Sequence, residues 1–169
     1  VPSERTALAS VAPPGASWRV RAAGERDVTA IASAVAELLR ELGGSPPRPA
    51  QMEAATRALL ADRDAGALLV AEARDGTVVG VLSASWQVAI HIPGRYALIQ
   101  DLWVSPAWRS RTVGAGLVAA FTETVRKLGI ERVEVGLPKS SFAQIRATEA
   151  FYVANGFEPV GRRMRRSLP

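Results

Sequence analysis

Apolar and polar residues change their spacing repeatedly along this chain, and each change marks an element. Residues 18–23 (WRVRAA) alternate as in a strand, and from Val28 the apolar positions recur at Ile31, Val35, Leu38, Leu39 and Leu42, one face of a helix, until Gly43 and Gly44 end it. A Pro/Gly breaker over 43–49 separates that helix from a second over 50–62, with Met52, Ala55, Leu59 and Leu60 on one side. Residues 67–74 and 77–86 read as strands joined at Asp75-Gly76, a pair suited to a tight hairpin turn whose two central residues both take positive φ. A loop around 91–95 leads to a strand over 96–104, and a second breaker, 105–111, leads to a helix with Val113, Leu117, Val118, Phe121, Val125 and Leu128 as its apolar stripe, ended by Gly129. Residues 131–137 predict a further strand. Ser141 and Gln144 have capping-box spacing before a helix that carries Phe142, Ile145, Thr148, Phe151 and Tyr152 on one side. Asn155-Gly156 stops that helix ahead of the last strands, where Val160, Arg162, Met164, Arg166 and Leu168 alternate as a terminal strand.

Strands and helices in this order predict one α/β (α+β) domain over 18–169, and 169 residues suffice for one core. Residues 1–17 combine Pro, Ala and Ser without an apolar period, so a mobile leader is expected there; they lack the basic-then-apolar pattern of a secretory signal. The absence of cysteine excludes disulfides, thiolate ligands and a cysteine nucleophile, and it fits a reducing compartment, so a cytoplasmic location is expected. His91 is the single histidine, and no metal is expected. The apolar runs are too short to span a bilayer, and no membrane partner is expected. The net charge of +5 owes most to Arg162, Arg163, Arg165 and Arg166. A nucleic-acid footprint ranks below a solvated strand face for this run, so no nucleic-acid partner is expected.

The segment richest in chemistry is LWVSPAWRSRTVGAGL, residues 102–117, where a strand passes through a short loop into a helix. A helix start offers unpaired N–H groups and a positive dipole end to an anion such as pyrophosphate, Arg109 and Arg111 add charge, and Gly114 allows close approach. Many helices start with small residues, so a close helix and strand contact is the plain alternative. VSPAWRSRTVGAGL resembles the acyl-CoA signature of the GCN5-related N-acetyltransferase (GNAT) superfamily: arginine or glutamine, two residues, glycine, one residue, then glycine or alanine. Arg109 takes the first position, Thr112 stands where the first glycine is usual, and Gly114 takes the second; Thr112 can still present its N–H if its φ is negative. A register of Arg111, Gly114 and Gly116 matches every letter but lengthens the loop. A second segment, AFYVANGF, is similar to the family's helix with an aromatic-Tyr pair followed by Gly-Phe, although Ile145 and Thr148 replace the usual Asn and Ala before it.

The resemblance covers about residues 18–168 and implies a mainly antiparallel central sheet with about four flanking helices and a splay between the fourth strand (96–104) and the fifth (131–137). It implies that acetyl-CoA lies in the splay, with its pantetheine on the backbone of Leu102, Trp103 and Val104 and its pyrophosphate on Arg109, Ser110, Arg111, Thr112, Val113, Gly114 and Ala115, Gly116 being a lesser candidate. The Val104 N–H is the candidate donor to the thioester carbonyl, and Tyr152 the candidate acid for the leaving thiolate. Asp101 is the candidate base, with Gln100 and Glu134 nearby; strict alternation places Asp101 with Ile99 and Trp103 on one face, unless a bulge re-aims it. His91, Trp86, Trp103 and Trp108 are either acceptor-side residues or, respectively, a bystander and core aromatics. The activity implied is acetyl transfer to a primary amine, on a small molecule or a peptide, by direct attack in a ternary complex; a non-catalytic acyl-CoA-binding sensor on the same fold is the alternative. Dimers are frequent in the family, and a homodimer is left open.

Overall fold

A computed structural model describes residues 15–161. Its elements in chain order are β1 Trp18–Ala22, α1 Val28–Glu41 after a 3-10 turn at Glu25–Asp27, α2 Pro49–Ala61, β2 Gly66–Ala73, β3 Val78–Ala89, β4 Ile92–Val104, a 3-10 turn at Pro106–Trp108, α3 Val113–Lys127, β5 Val133–Val135 and α4 Ile145–Ala154. The strands lie in the order β1-β2-β3-β4-β5, antiparallel up to β4, whereas β4 and β5 run parallel because α3 crosses over between them. This is the expected mixed α/β architecture with a mainly antiparallel sheet and four helices.

Alternation along β2 and β3 supplies both faces of the sheet. Leu69, Ala71, Leu82 and Ala84 point to α3 and join Trp18, Val20, Ile99, Leu117 and Phe121 in the larger core, while Leu68, Val70 and Val81 pack with Ile31, Ala34 and Trp103 beneath α1. Five of the six stripe residues of α3 are buried, and only Leu128, at 54% exposure, escapes. Gly80 lets α3 settle onto β3, since a Cβ there would stand 2.9 Å from Leu117 and 3.0 Å from Val113.

Several expectations change. The Asp75-Gly76 turn is a three-residue loop: Ala73 N–H donates to Thr77 O at 2.8 Å, Gly76 N–H donates to Ala73 O at 3.0 Å, and Gly76 has positive φ while Asp75 does not. The loop around 91–95 is largely strand, because β3 and β4 continue as a hairpin to Ala89 and Ile92. On α1, Ala34 and Ala36 are buried in place of Leu42, and on α2 Thr56 is buried while Ala55 is exposed. The fourth helix begins at Ile145 without a side-chain cap, so the Ser141/Gln144 capping box does not form. Among the described residues no strand follows it; Arg162, Met164, Arg166 and Leu168 lie outside them, as does the expected leader up to residue 14. Of residues 15–17, Ala16 packs against the larger core.

Polar burial is concentrated at the β1 edge of the α1 face. Arg21 donates to both carboxylate oxygens of Asp27, at 2.7 and 2.9 Å, and to Glu72 Oε1 at 2.7 Å, while Arg19 and Arg26 also donate to Glu72. Glu72 is 5% exposed and Asp27 3%, so these carboxylates remain charged only because guanidinium groups enclose them.

Candidate active site

Pairing between β4 and β5 covers Ala97 to Ile99 and then stops, while β4 continues to Val104 with β3 on its other side. β5 itself ends at Val135, so from Gln100 onward one edge of β4, with the backbone of Leu102, Trp103 and Val104, has no strand beside it among the described residues. Such an edge can take an extended amide chain as an added strand would.

The chain leaves this edge through the Pro106–Trp108 turn, anchored by Ser105 N–H donating to Val79 O at 2.9 Å, and winds into α3. Ser110 (φ 60°) and Thr112 (φ 62°) both occupy the left-handed region, so the condition of a negative φ, under which Thr112 would present its N–H, is not met. The loop makes its last bend where a glycine would rest unstrained, and a β-branched residue stands there instead. Thr112 Oγ1 donates back to Arg111 O at 2.6 Å, and α3 begins without a side-chain cap. Its first N–H groups, at Val113, Gly114 and Ala115, are thus left for an anion.

The arginines divide their tasks. Arg109 Nε donates to Val104 O at 3.0 Å and Nη2 donates to both Glu41 oxygens at 2.6 and 2.9 Å, tying the loop to β4 and to the last turn of α1. Arg111 is exposed and lies over the Trp108 ring at 5.4 Å. Gly116 sits inside α3 against Trp18, whose Cη2 would be 2.3 Å from a Cβ there, so its small size serves packing.

The two sequence segments meet. A Cβ on Gly114 would touch the Phe151 ring at 3.3 Å, so α4 lies against the start of α3 and carries Tyr152 with it. Tyr152 is 8% exposed, packed edge-on against Phe151 and Phe157, and burial pushes its phenol up to about 12.

Asp101 is placed by a bulge. Ser83 pairs with Asp101 and Ala84 with Ile99, which leaves Gln100 without a partner. Strict alternation is broken there: Ile99 joins the α3-side core, and Trp103 joins the α1 side, so Asp101 shares a face with Trp103 and not with Ile99. Burial pushes the Asp101 carboxyl above its ordinary value, opposed by a hydrogen bond of 2.5 Å that Ser83 Oγ donates to Oδ2. Gln100 is exposed and donates to Ser85 Oγ, Glu134 is opposite Leu98 beside Arg132, and His91 is exposed at the hairpin turn. Trp86 and Trp108 pack against the larger core. Ser83 and Glu41 were missed from sequence. Ser83 left a signal, a polar residue in the inward phase of β3 with Val81, whereas Glu41 is far from Arg109 in sequence and left none.

A cavity of about 210 Å³ is lined by Arg63, Trp86, Arg95 and Gly129. It lies near Ala97, about 20 Å along β4 from the loop after Val104 at the usual strand rise, so it is separate from that loop and the start of α3. Among the described residues no cluster of ligating side chains could hold a metal ion, and no helix is long and apolar enough to cross a membrane.

The family model for the acetyltransferase (GNAT) family matches residues 33–157. This chain belongs to the GNAT family. A curated relative, the aminoalkylphosphonate N-acetyltransferase of Salmonella typhimurium, is 30% identical over 95 residues, 56% of this GNAT chain and 59% of the relative. The chain thus spans little more than half the length of that relative. Among solved structures, a possible acetyltransferase from Clostridium difficile 630 has a TM-score of 0.76 at 19% identity over 91% of this chain and 99% of its own. The aminoglycoside 6'-N-acetyltransferase of Acinetobacter baumannii has 0.72 at 15% over 90% and 98%. An aminoglycoside N-acetyltransferase in complex with CoA has 0.73 at 19% over 94% and 99%. These structural likenesses show the GNAT fold.

Proposed function

We propose that this chain transfers the acetyl group of acetyl-CoA to a primary amine by direct attack within a ternary complex. The observation that carries this reading is the junction of the open β4 edge with the uncapped start of α3, against which Phe151 holds the helix bearing Tyr152. The backbone of Leu102, Trp103 and Val104 binds the pantetheine, and Arg111 with the N–H groups from Val113 to Ala115 takes the pyrophosphate, Arg109 serving to fix the loop. The Val104 N–H stabilises the developing oxyanion. Asp101 takes a proton from the acceptor ammonium, directly or through water; the freed amine attacks the carbonyl carbon, a C–N bond forms and the C–S bond breaks. Tyr152, protonated at every neutral pH, donates its proton to the departing sulfur and regains one as the new amide nitrogen loses its own. The relatives named for amine acetylation support an amine acceptor of small-molecule or peptide type.

The test is thiol release from acetyl-CoA against a panel of amines, with calorimetry of CoA binding alongside. Turnover with at least one amine is expected. CoA binding without turnover on any amine would favour a non-catalytic sensor, and no CoA uptake at millimolar concentration would end both readings.

A further inference from the structure

Two buried carboxylates, Asp27 and Glu72, can be compared within this one domain with a third, Asp101, that is half-buried. Asp27 and Glu72 are enclosed by arginine, which holds both below the ordinary carboxylate range. Among the described residues no arginine pairs with Asp101. One side-chain hydrogen bond reaches it among the described residues, from Ser83 Oγ to Oδ2 at 2.5 Å, across the β3–β4 pair just beyond the bulge at Gln100. A guanidinium in that position would keep the carboxylate ionised and make it a poor proton acceptor, whereas a neutral hydroxyl can fix its orientation and leave its basicity largely in place.

We propose that Ser83 is a positioning residue for acetyl transfer: its hydroxyl commits Asp101 Oδ2, fixes the carboxylate rotamer and leaves Oδ1 to receive the proton of the acceptor ammonium. This rests on the reading of Asp101 as the base. Ser83 is itself 6% exposed, so its hydroxyl is held away from bulk water and bonded to Asp101. Among the described residues the surroundings add no competing charge. From β3 comes the Ser83 hydroxyl; α1, which packs on β4, presents Ile31 and Ala34 to the cluster that holds Trp103; and Glu134 of β5 exerts no resolved influence on the carboxyl, for which burial and Ser83 are the two causes. The acceptor therefore meets a carboxylate whose direction is set by one hydrogen bond and whose affinity for a proton is raised by its apolar setting.

Ser83→Ala, Ser83→Thr and Asp101→Asn separate the possibilities. In Ser83→Ala, kcat/KM for the amine should fall about ten- to a hundredfold, as expected for loss of a hydrogen bond to a charged group, with acetyl-CoA affinity unchanged. Its acid limb, the loss of rate as Asp101 becomes protonated, should move to higher pH because a bond that favours the charged form is gone. Ser83→Thr restores the hydroxyl and should recover both. An unmoved acid limb in Ser83→Ala, or a loss that threonine does not recover, would overturn the positioning role. Persistence of the limb in Asp101→Asn would overturn the base assignment itself, a distinct failure. A carbon NMR titration of the Asp101 carboxyl reads the same coupling without turnover: a midpoint raised in Ser83→Ala and returned in Ser83→Thr is expected, and equal midpoints in all three proteins would sink the proposal even if the correct amine is never found.

Discussion

Glu72 and Asp27 lie beneath the edge of the sheet with Arg21 joined to both; at Glu72 the hydrogen bonds of Arg21 and then of Arg19 outweigh the cost of burial, whereas at Asp27 burial is the largest influence and is overcome by the Arg21 hydrogen bonds together with the Gly24 N–H and the charges of Arg21 and Arg26. Glu72 is held at about 2, below its ordinary 4.5. A depressed carboxyl contributes stability that is fully present above the unfolded value, so this contribution is lost as pH falls from 4.5 toward about 2. Thermal melts should show that acid loss in the native chain and a flatter profile in Glu72→Gln. At neutral pH the variant should be less stable by about 2 kcal/mol, below the range for a fully enclosed pair because Arg19 and Arg26 reach solvent. Tyr152 is shifted the opposite way. Its phenol at about 12 means that the folded state favours the protonated form, so that stability is present below pH 10 and declines as pH rises through about 12. On the proposed mechanism, Tyr152→Phe should lower kcat about a hundredfold or more, with the KM for acetyl-CoA unchanged in steady-state assays, because the proposed proton donor is lost while the backbone proposed to hold the coenzyme stays intact.

At the scale of elements, the turn from Arg109 to Val113 concentrates the strain of the domain, with two non-glycine residues in the left-handed region. Thr112→Gly removes the penalty of a β-branched side chain there and should stabilise the protein by about 1 kcal/mol, a rise of roughly 2–4 °C in Tm for a domain of this size, without loss of CoA affinity by calorimetry. The start of α3 was readable because its core stripe begins at once: Val113, Leu117 and Phe121 fix the phase of the helix, and that phase decides which N–H groups come first. The bulge at Gln100 was not readable in position, since it arises from how β4 registers on β3 and no residue type marks it. The failed capping box has a similar cause. Ser141 and Gln144 have the right spacing, yet Phe142 N–H donates to Lys139 O and Ile145 N–H to Phe142 O, so the approach closes in successive turns before α4 starts. Asp75-Gly76 gave the hairpin correctly and its loop length incorrectly, because only Gly76 takes positive φ.

Across the whole molecule, the order of strands and helices was legible because each follows its own period, whereas contacts between distant segments were not. Arg109 and Glu41 are the clearest case, since this ion pair links the end of α1 to the loop after β4 and no local pattern announces it. Both side chains are substantially solvated, at 47% and 37%, so the pair contributes little to stability. Glu41→Gln should leave the melting curve nearly unchanged and raise CoA affinity about two- to fivefold at low salt, an increment typical of one released surface charge and one that calorimetry at high salt should erase. The extension of β4 beyond the end of β5 has a cost of its own. Past Ile99 no strand covers that edge among the described residues, although Arg109 Nε takes Val104 O, and such a border is where foreign chains add on and precipitation starts. An occupant of that border closes the sheet, so the loaded protein is protected from edge-to-edge association during storage, whereas the empty one retains a template for it.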